Sequence, residues 1–131
     1  PLALALSAGG TFIAQSFASD AQRHAELVQK AIEHDGFGFV NVFSPCVTFN
    51  DTDTYDYFRD NLTDLAETDH DPNDFDEAKD RIMDADAEYQ GILYQDENSV
   101  PYHEAHGVTE DMTEIPDGAP EDATDLVREF Y

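Results

Sequence analysis

Phe37-Gly38-Phe39-Val40-Asn41-Val42-Phe43 is the stretch that decides the fold. It is almost entirely apolar and dominated by aromatic and β-branched residues, so it reads as a strand. Its apolar character is continuous rather than alternating, which predicts cover on both faces, the habit of parallel sheets. Upstream, Thr11-Phe12-Ile13-Ala14-Gln15-Ser16-Phe17 has the same character and reads as a second strand. Between them Ser19 and Gln22 fit a capping box, and a helix runs from there to about His34. Ala25, Val28, Ala31 and Ile32 fall at helical spacing and form its expected buried stripe. Gly36 follows as the stop. Strand, helix, strand in this length is a βαβ unit, so the predicted fold class is α/β with a mainly parallel sheet.

Outward from this unit the signals weaken. Residues 1–8 read as a helix end, with Pro1 in a first turn and Gly9-Gly10 as the stop. Pro1 leads directly into Leu2-Ala3-Leu4-Ala5-Leu6, which reads as an internal start, that of a fragment or a processed chain. Residues 54–66 suggest a helix with Tyr55, Phe58, Leu62 and Leu65 on one stripe. Residues 69–74 read as a loop, residues 75–87 as a helix, and residues 90–94 as a short strand at an edge. Beyond Asp96 the chain is acidic, contains Pro101, Pro116 and Pro120, and has little periodicity. The expected organisation is therefore an α/β part over residues 1–95 and an acidic tail over residues 96–131. A last helical turn over residues 122–130 would dock by Leu126, Val127 and Phe130.

The charge balance bounds the function. Thirty Asp and Glu stand against six Lys and Arg in 131 residues, a formal net charge of −24. Phosphate contacts need a basic footprint, so no nucleic-acid partner is expected. No apolar run approaches a membrane span, and the apolar opening lacks the basic flank of a signal peptide. Such self-repulsion suits a salt-rich cytoplasm, and the chain reads as a cytoplasmic protein of an extreme halophile. The other reading is a low-salt protein with an acidic interaction surface.

The candidate chemistry lies in Ser44-Pro45-Cys46-Val47-Thr48-Phe49-Asn50, directly after the deciding strand. Open α/β sheets place ligands at the carboxyl ends of their strands. Cys46 is the only cysteine, so it cannot form an intramolecular disulfide, and one thiolate alone is a poor metal site. It is either a small buried apolar residue or one ligand of a set whose other members lie elsewhere. His24 and His34 read as surface residues of the helix. His70 with Asp69, Asp71 and Asp74, and His103 and His106 with Glu104, lack a specific ligand spacing and read as solvated loops. Asp51-Thr52-Asp53 lacks the glycine and the terminal glutamate of a calcium loop. Neither Gly9-Gly10 nor Gly36-Phe37-Gly38 matches a phosphate-binding loop.

Three blocks carry a resemblance: residues 1–14 (Pro1-Leu2-Ala3-Leu4-Ala5-Leu6-Ser7-Ala8-Gly9-Gly10-Thr11-Phe12-Ile13-Ala14), His34-Asp35-Gly36-Phe37, and Phe43-Ser44-Pro45-Cys46-Val47-Thr48-Phe49-Asn50. In order and spacing they resemble the β subunit of 2-oxoacid:ferredoxin oxidoreductases, over about residues 1–95. The resemblance implies the C-terminal half of a thiamine diphosphate-binding α/β domain. It implies partnership with an α subunit in CoA-dependent oxidative decarboxylation of a 2-oxoacid to an acyl-CoA and carbon dioxide. Electrons would pass through a 4Fe-4S cluster to ferredoxin. In that family three cysteines near the N-terminal end supply most of the cluster ligands, and Cys46 resembles the fourth. Ser44, Pro45, Thr48 and Asn50 would then surround the ligand. The overall look of the blocks favours 2-oxoglutarate slightly over pyruvate. The Gly-Asp-Gly block and the Asn that hold the diphosphate and its magnesium (Mg2+) are absent, as are the Cys-x-x-Cys ligands. Most cofactor ligands would therefore lie outside this chain, which alone would be inactive. The alternative function is a non-catalytic acidic halophilic α/β interaction module with a buried, structural Cys46.

Overall fold

The computed structural model describes residues 1–107. The elements are α1 (Leu2–Ser7), β1 (Phe12–Phe17), α2 (Ala21–Glu33), β2 (Gly38–Phe43), α3 (Tyr55–Asn61), β3 (Leu62–Asp64), a 3-10 turn (Leu65–Glu67), α4 (Phe75–Met83), β4 (Glu88–Gln95) and α5 (Tyr102–Ala105). The expected last helical turn over residues 122–130 lies outside the described residues.

The four strands form one sheet in the order β2-β1-β4-β3. β1 pairs parallel with β2 and β3 parallel with β4, while β1 and β4 run antiparallel. The predicted α/β class with a mainly parallel sheet is thus what the chain adopts. β1 is the strand covered on both faces, and all six of its residues are buried. On one face Phe12 and Ala14 pack with Leu27 of α2, joined by Ala31, Val40 and Ile92. On the other, Ile13 packs with Leu6, Leu65, Tyr89 and Leu93, joined by Ile82 and Phe39. Each fully buried Leu, Ile or Phe removes apolar surface worth about 1.5–3 kcal/mol, so this double cover makes β1 the axis of the fold.

Several expectations are corrected. β2 is a margin strand, with its residues exposed or half-buried, not covered on both faces. The strand predicted at an edge over residues 90–94 is longer, and β4 lies inside the sheet between β1 and β3. The helix expected over residues 54–66 ends at Asn61, because Leu62–Asp64 find a partner in β4, in register Leu62 with Glu88. The helix expected over residues 75–87 ends at Met83, releasing Ala87 to the core and Glu88 to the sheet. Asp20, not Ser19, caps α2, accepting from the Arg23 amide at 3.1 Å. The buried stripe of α2 is also rotated: Leu27 is fully buried, while Ala25 is exposed and Ile32 is 78% exposed.

Residues 95–99 fold back on the amino ends of β1 and β2. The Asp96 amide donates to Thr11 O at 2.8 Å, and Ser99 Oγ donates to the Asp35 carbonyl and meets His34 Nε2 at 3.1 Å. His34 Nε2 also lies 3.0 Å from Thr11 Oγ1, which accepts from the Phe37 amide at 2.8 Å. Gly36, at φ +146°, passes through this knot, where a Cβ would press against Thr11 Oγ1.

Candidate functional site

β1 and β2 run parallel, so their carboxyl ends, Phe17 and Phe43, lie on the same side of the sheet. α3 closes over them. Phe58 is buried there, with its ring stacked 4.5 Å from Phe43 and tilted 5.6 Å from Phe17. The chain leaves β2 through Ser44 and Pro45 and turns at residues 47–49 before returning to α3. Pro45 fixes its own φ and donates no backbone hydrogen bond, which suits a strand exit.

Asn50 fastens this turn. Its amide donates to Cys46 O at 3.1 Å, closing the loop around the cysteine. Its side-chain Oδ1 accepts from the Thr52 amide at 3.1 Å, the Asp53 amide at 3.0 Å and Thr52 Oγ1 at 3.2 Å. Its Nδ2 donates to Asp53 O at 3.2 Å. One side chain thus satisfies two amides and one carbonyl of the backbone between the turn and α3. Thr54 takes over as the cap of α3, accepting from the Tyr57 amide at 3.2 Å.

Cys46 is exposed and free, which overturns the reading of a buried structural cysteine. It borders a cleft of about 280 Å3 lined also by Pro45, Val47, Asn50, Tyr55 and Asp56. Ser44 and Thr48 are exposed on the same turn, and Val47 and Phe49 are 80% and 90% exposed. Cys46 and the four residues singled out around it, Ser44, Pro45, Thr48 and Asn50, therefore share one exposed or half-buried turn, with Asn50 as its fastener. Reasoning from the sequence missed Tyr55 and Asp56 as walls of the cleft. The Asn50-Asp51-Thr52-Asp53-Thr54 run, rich in residues that hydrogen-bond their own backbone, was the available signal.

Behind the loop stands Glu88 at the start of β4. Burial, reinforced by the nearby Asp53 carboxylate, pushes its carboxyl above the ordinary glutamate value. No arginine or lysine is among the residues lining the Cys46 cleft.

The histidines behave differently from expectation. His24 Nδ1 lies 2.8 Å from Ser16 Oγ and His34 joins the Thr11 knot, so neither is a free surface residue. His70 is not solvated: its side chain is 1% exposed, with Nε2 donating to Leu93 O at 3.0 Å and Nδ1 3.3 Å from Glu77 Oε1. His103 and His106 are exposed, in or just after α5. Among the described residues no group of three or more His, Cys, Asp or Glu could hold a metal ion. Cys46 and its described neighbours thus do not make a self-contained metal site. Nor does any helix among the described residues have the length and apolarity to cross a membrane.

The sequence profile of the family described as the C-terminal region of the pyruvate ferredoxin oxidoreductase beta subunit matches residues 46–111, half of the chain, and begins at Cys46. The chain is 36% identical to the 2-oxoacid:ferredoxin oxidoreductase subunit beta of Sulfolobus sp, over 79% of this chain and 38% of that protein. It is 43% identical to the corresponding subunit of Saccharolobus solfataricus, over 44% of this chain and 19% of that one. Among solved structures it resembles a 2-oxoglutarate:ferredoxin oxidoreductase from Magnetococcus marinus with 2-oxoglutarate, coenzyme A and succinyl-CoA bound. There the TM-score is 0.71 at 32% identity, over 100% of this chain and 44% of that chain. The chain thus spans less than half the length of the relatives it matches. With the profile anchored at the exposed cysteine and the whole α/β framework shared, the chain belongs to the β-subunit family of the 2-oxoacid:ferredoxin oxidoreductases.

Proposed function

We propose that this chain is the C-terminal part of the β subunit of a 2-oxoacid:ferredoxin oxidoreductase, and that Cys46 is one thiolate ligand of its 4Fe-4S cluster. The observation that carries this reading is the free, exposed thiol on a strand-end turn that Asn50 closes. The complete enzyme would join this chain to the rest of the subunit, an α subunit and ferredoxin. It would convert a 2-oxoacid and coenzyme A to an acyl-CoA and carbon dioxide. When bound, thiamine diphosphate with Mg2+ supplies the carbanion chemistry and the cluster supplies one-electron transfer.

What this chain contributes is position. β2 and the Phe43–Phe58 stack fix where the turn starts, and the Asn50 bonds fix where it ends. Sγ of Cys46 is thereby held in a narrow range of directions, which a cluster assembled from distant segments requires. The hydroxyls of Ser44 and Thr48 are available to donate to cluster sulfur, where such bonds tune the potential. Pro45 contributes stiffness. The 2-oxoacid we favour is 2-oxoglutarate, in keeping with the solved relative acting on that substrate.

The test is Cys46→Ser in the complete subunit, expressed with its partner. Iron per subunit and the cluster's electron paramagnetic resonance signal are expected to fall severely, while the complex still assembles. Full iron and an unchanged signal in an assembled Cys46→Ser complex would remove Cys46 from the ligand set.

A further inference from the structure

The end of the sheet opposite the Cys46 turn carries an exposed apolar patch. It surrounds the knot of Thr11, His34 and Ser99. The Phe37 amide donates into that knot, to Thr11 Oγ1 at 2.8 Å, and Val100 follows Ser99 directly. Phe37, Val100 and Tyr102 are 59%, 51% and 78% exposed. His34 is shared with a cleft of about 230 Å3, whose walls also include Phe12, Lys30, Glu33 and Gln95. Among the described residues Lys30 is in no ion pair, although Asp and Glu make up 30 of the 131 residues of the chain.

The chain leaves the described part beside this patch. Gly107 stands seven positions after Val100, with only the short α5 between them. The matched family profile ends at residue 111. Residues 108–131 contain eight Asp and Glu and a single Arg. Near their end, Leu126, Val127 and Phe130 share one face at helical spacing. Asp122, Asp125 and Glu129, at i, i+3 and i+7, form a flanking acidic stripe.

We propose that residues 122–130 fold back on the amino end of the sheet, with Leu126, Val127 and Phe130 on the Phe37–Val100–Tyr102 patch and the acidic stripe against Lys30. The residues between Gly107 and Asp122 span up to about 50 Å when extended, so reach is ample. Closure costs more entropy for longer loops, which favours the surface nearest the point where the chain departs. Charge selects the same place. An acidic segment is repelled by most of this surface, and Lys30 is a cation that no described carboxylate offsets. The other lysine, Lys79, is on α4, whose Ile82 packs on the opposite face of the sheet from α2. Burying the patch removes apolar surface from water, which supplies the attraction that the charges alone do not.

The test is a photo-crosslinking residue in place of Phe130 in the complete subunit within its complex. Crosslinks to residues 30–37 or 95–102, with the product keeping the mass of one subunit, are expected. Crosslinks to residues 44–56 or to another polypeptide, or none at all, would overturn the proposal. Lys30→Glu should lower the crosslink yield by about threefold or more, and an unchanged yield would overturn the pairing with Lys30. A subunit lacking residues 122–131 gives a second readout. The Thr11, Phe37 and Ser99 amides, all hydrogen-bonded at this end, should exchange about tenfold faster, while the Asn50 amide in the Cys46 turn is unchanged. No change at the first three, or an equal change at both ends, would overturn the docking. Neither readout involves iron, so failure here and failure of the Cys46 ligand are separable.

Discussion

Asp84 and Glu88, four residues apart between α4 and β4, titrate in opposite senses. The Asp86 amide and the Tyr89 hydroxyl both donate to Asp84 and hold its carboxyl below the usual 3.8. Burial and the Asp53 carboxylate hold Glu88 above the usual 4.5. For Asp84 the native state releases its proton more readily, so its contribution is present above 3.8 and is lost as pH falls through the folded value. For Glu88 the native state keeps the proton longer, so stability is lost as pH rises from 4.5 through the folded value. Glu88→Gln is therefore expected to raise the melting temperature of the subunit at pH 7, with the gain disappearing as pH falls below about 4.5. A gain that persists at the acid end would assign the effect to packing instead. None of this was legible in the sequence, since both environments depend on which residues the folded sheet brings alongside. The segment around Cys46 stood out in the sequence, because it is a contiguous block and holds the only cysteine. The exposure of its thiol was not legible, because sequence gives composition around a thiol but not the cleft beside it.

At the scale of elements, the histidines explain most of the misreading. His24, Leu27, Val28, Ala31 and His34 are spaced 3, 1, 3 and 3 residues apart, and none is fully exposed. Treating the two histidines as surface residues rotated the expected stripe toward Ala25 and Ile32. Their ring nitrogens are instead satisfied by Ser16 and Thr11 of the neighbouring strand. His70 plays a similar part across a bulge. β1 pairs Ile13 with Tyr94 and Ala14 with Ile92, leaving Leu93 as the extra residue of β4. The carbonyl of Leu93 is the one that accepts from His70 Nε2, so the loop before α4 repairs the irregularity in the ladder. His70→Ala leaves that buried carbonyl without a partner, at a cost of about 1–3 kcal/mol. The subunit should melt lower, and the β4 amides around Leu93 should exchange faster. His70→Gln, which retains a donor, should recover part of the loss. Equal effects of Ala and Gln would mean that the imidazole matters for its volume alone. The βαβ unit was readable because its two strands are continuous apolar runs. β3 and the inner position of β4 were not, because three residues of sequence cannot announce a strand whose partner lies more than twenty positions away.

Among the described residues the three arginines all sit in ion pairs. Arg23 lies 2.8 Å from Asp64, Arg59 2.7 Å from Asp56, and Arg81 3.6 Å from Glu77. The three described arginines thus each offset an acid locally, and the 30 Asp and Glu outnumber any cations that could offset them. At 0.1 M salt the screening length is about 10 Å, longer than the spacing of neighbouring surface charges, and at 1 M it is about 3 Å. Repulsion summed over a net charge of −24 is therefore strong in dilute buffer and largely removed in concentrated salt. Each kcal/mol relieved raises the melting temperature of a domain this size by roughly 2–4 °C, so several kcal/mol give an increase on the order of 10 °C. Thermal melting of the complete subunit in 0.1, 0.5, 1 and 2 M KCl should show that rise, with most of it below 1 M as screening saturates. Sucrose, which strengthens burial without screening, should give a smaller rise that is linear in concentration. A melting temperature indifferent to KCl would mean that the carboxylates are neutralised in pairs with the rest of the complex, and the acidic surface would then be an interface rather than a solvated face.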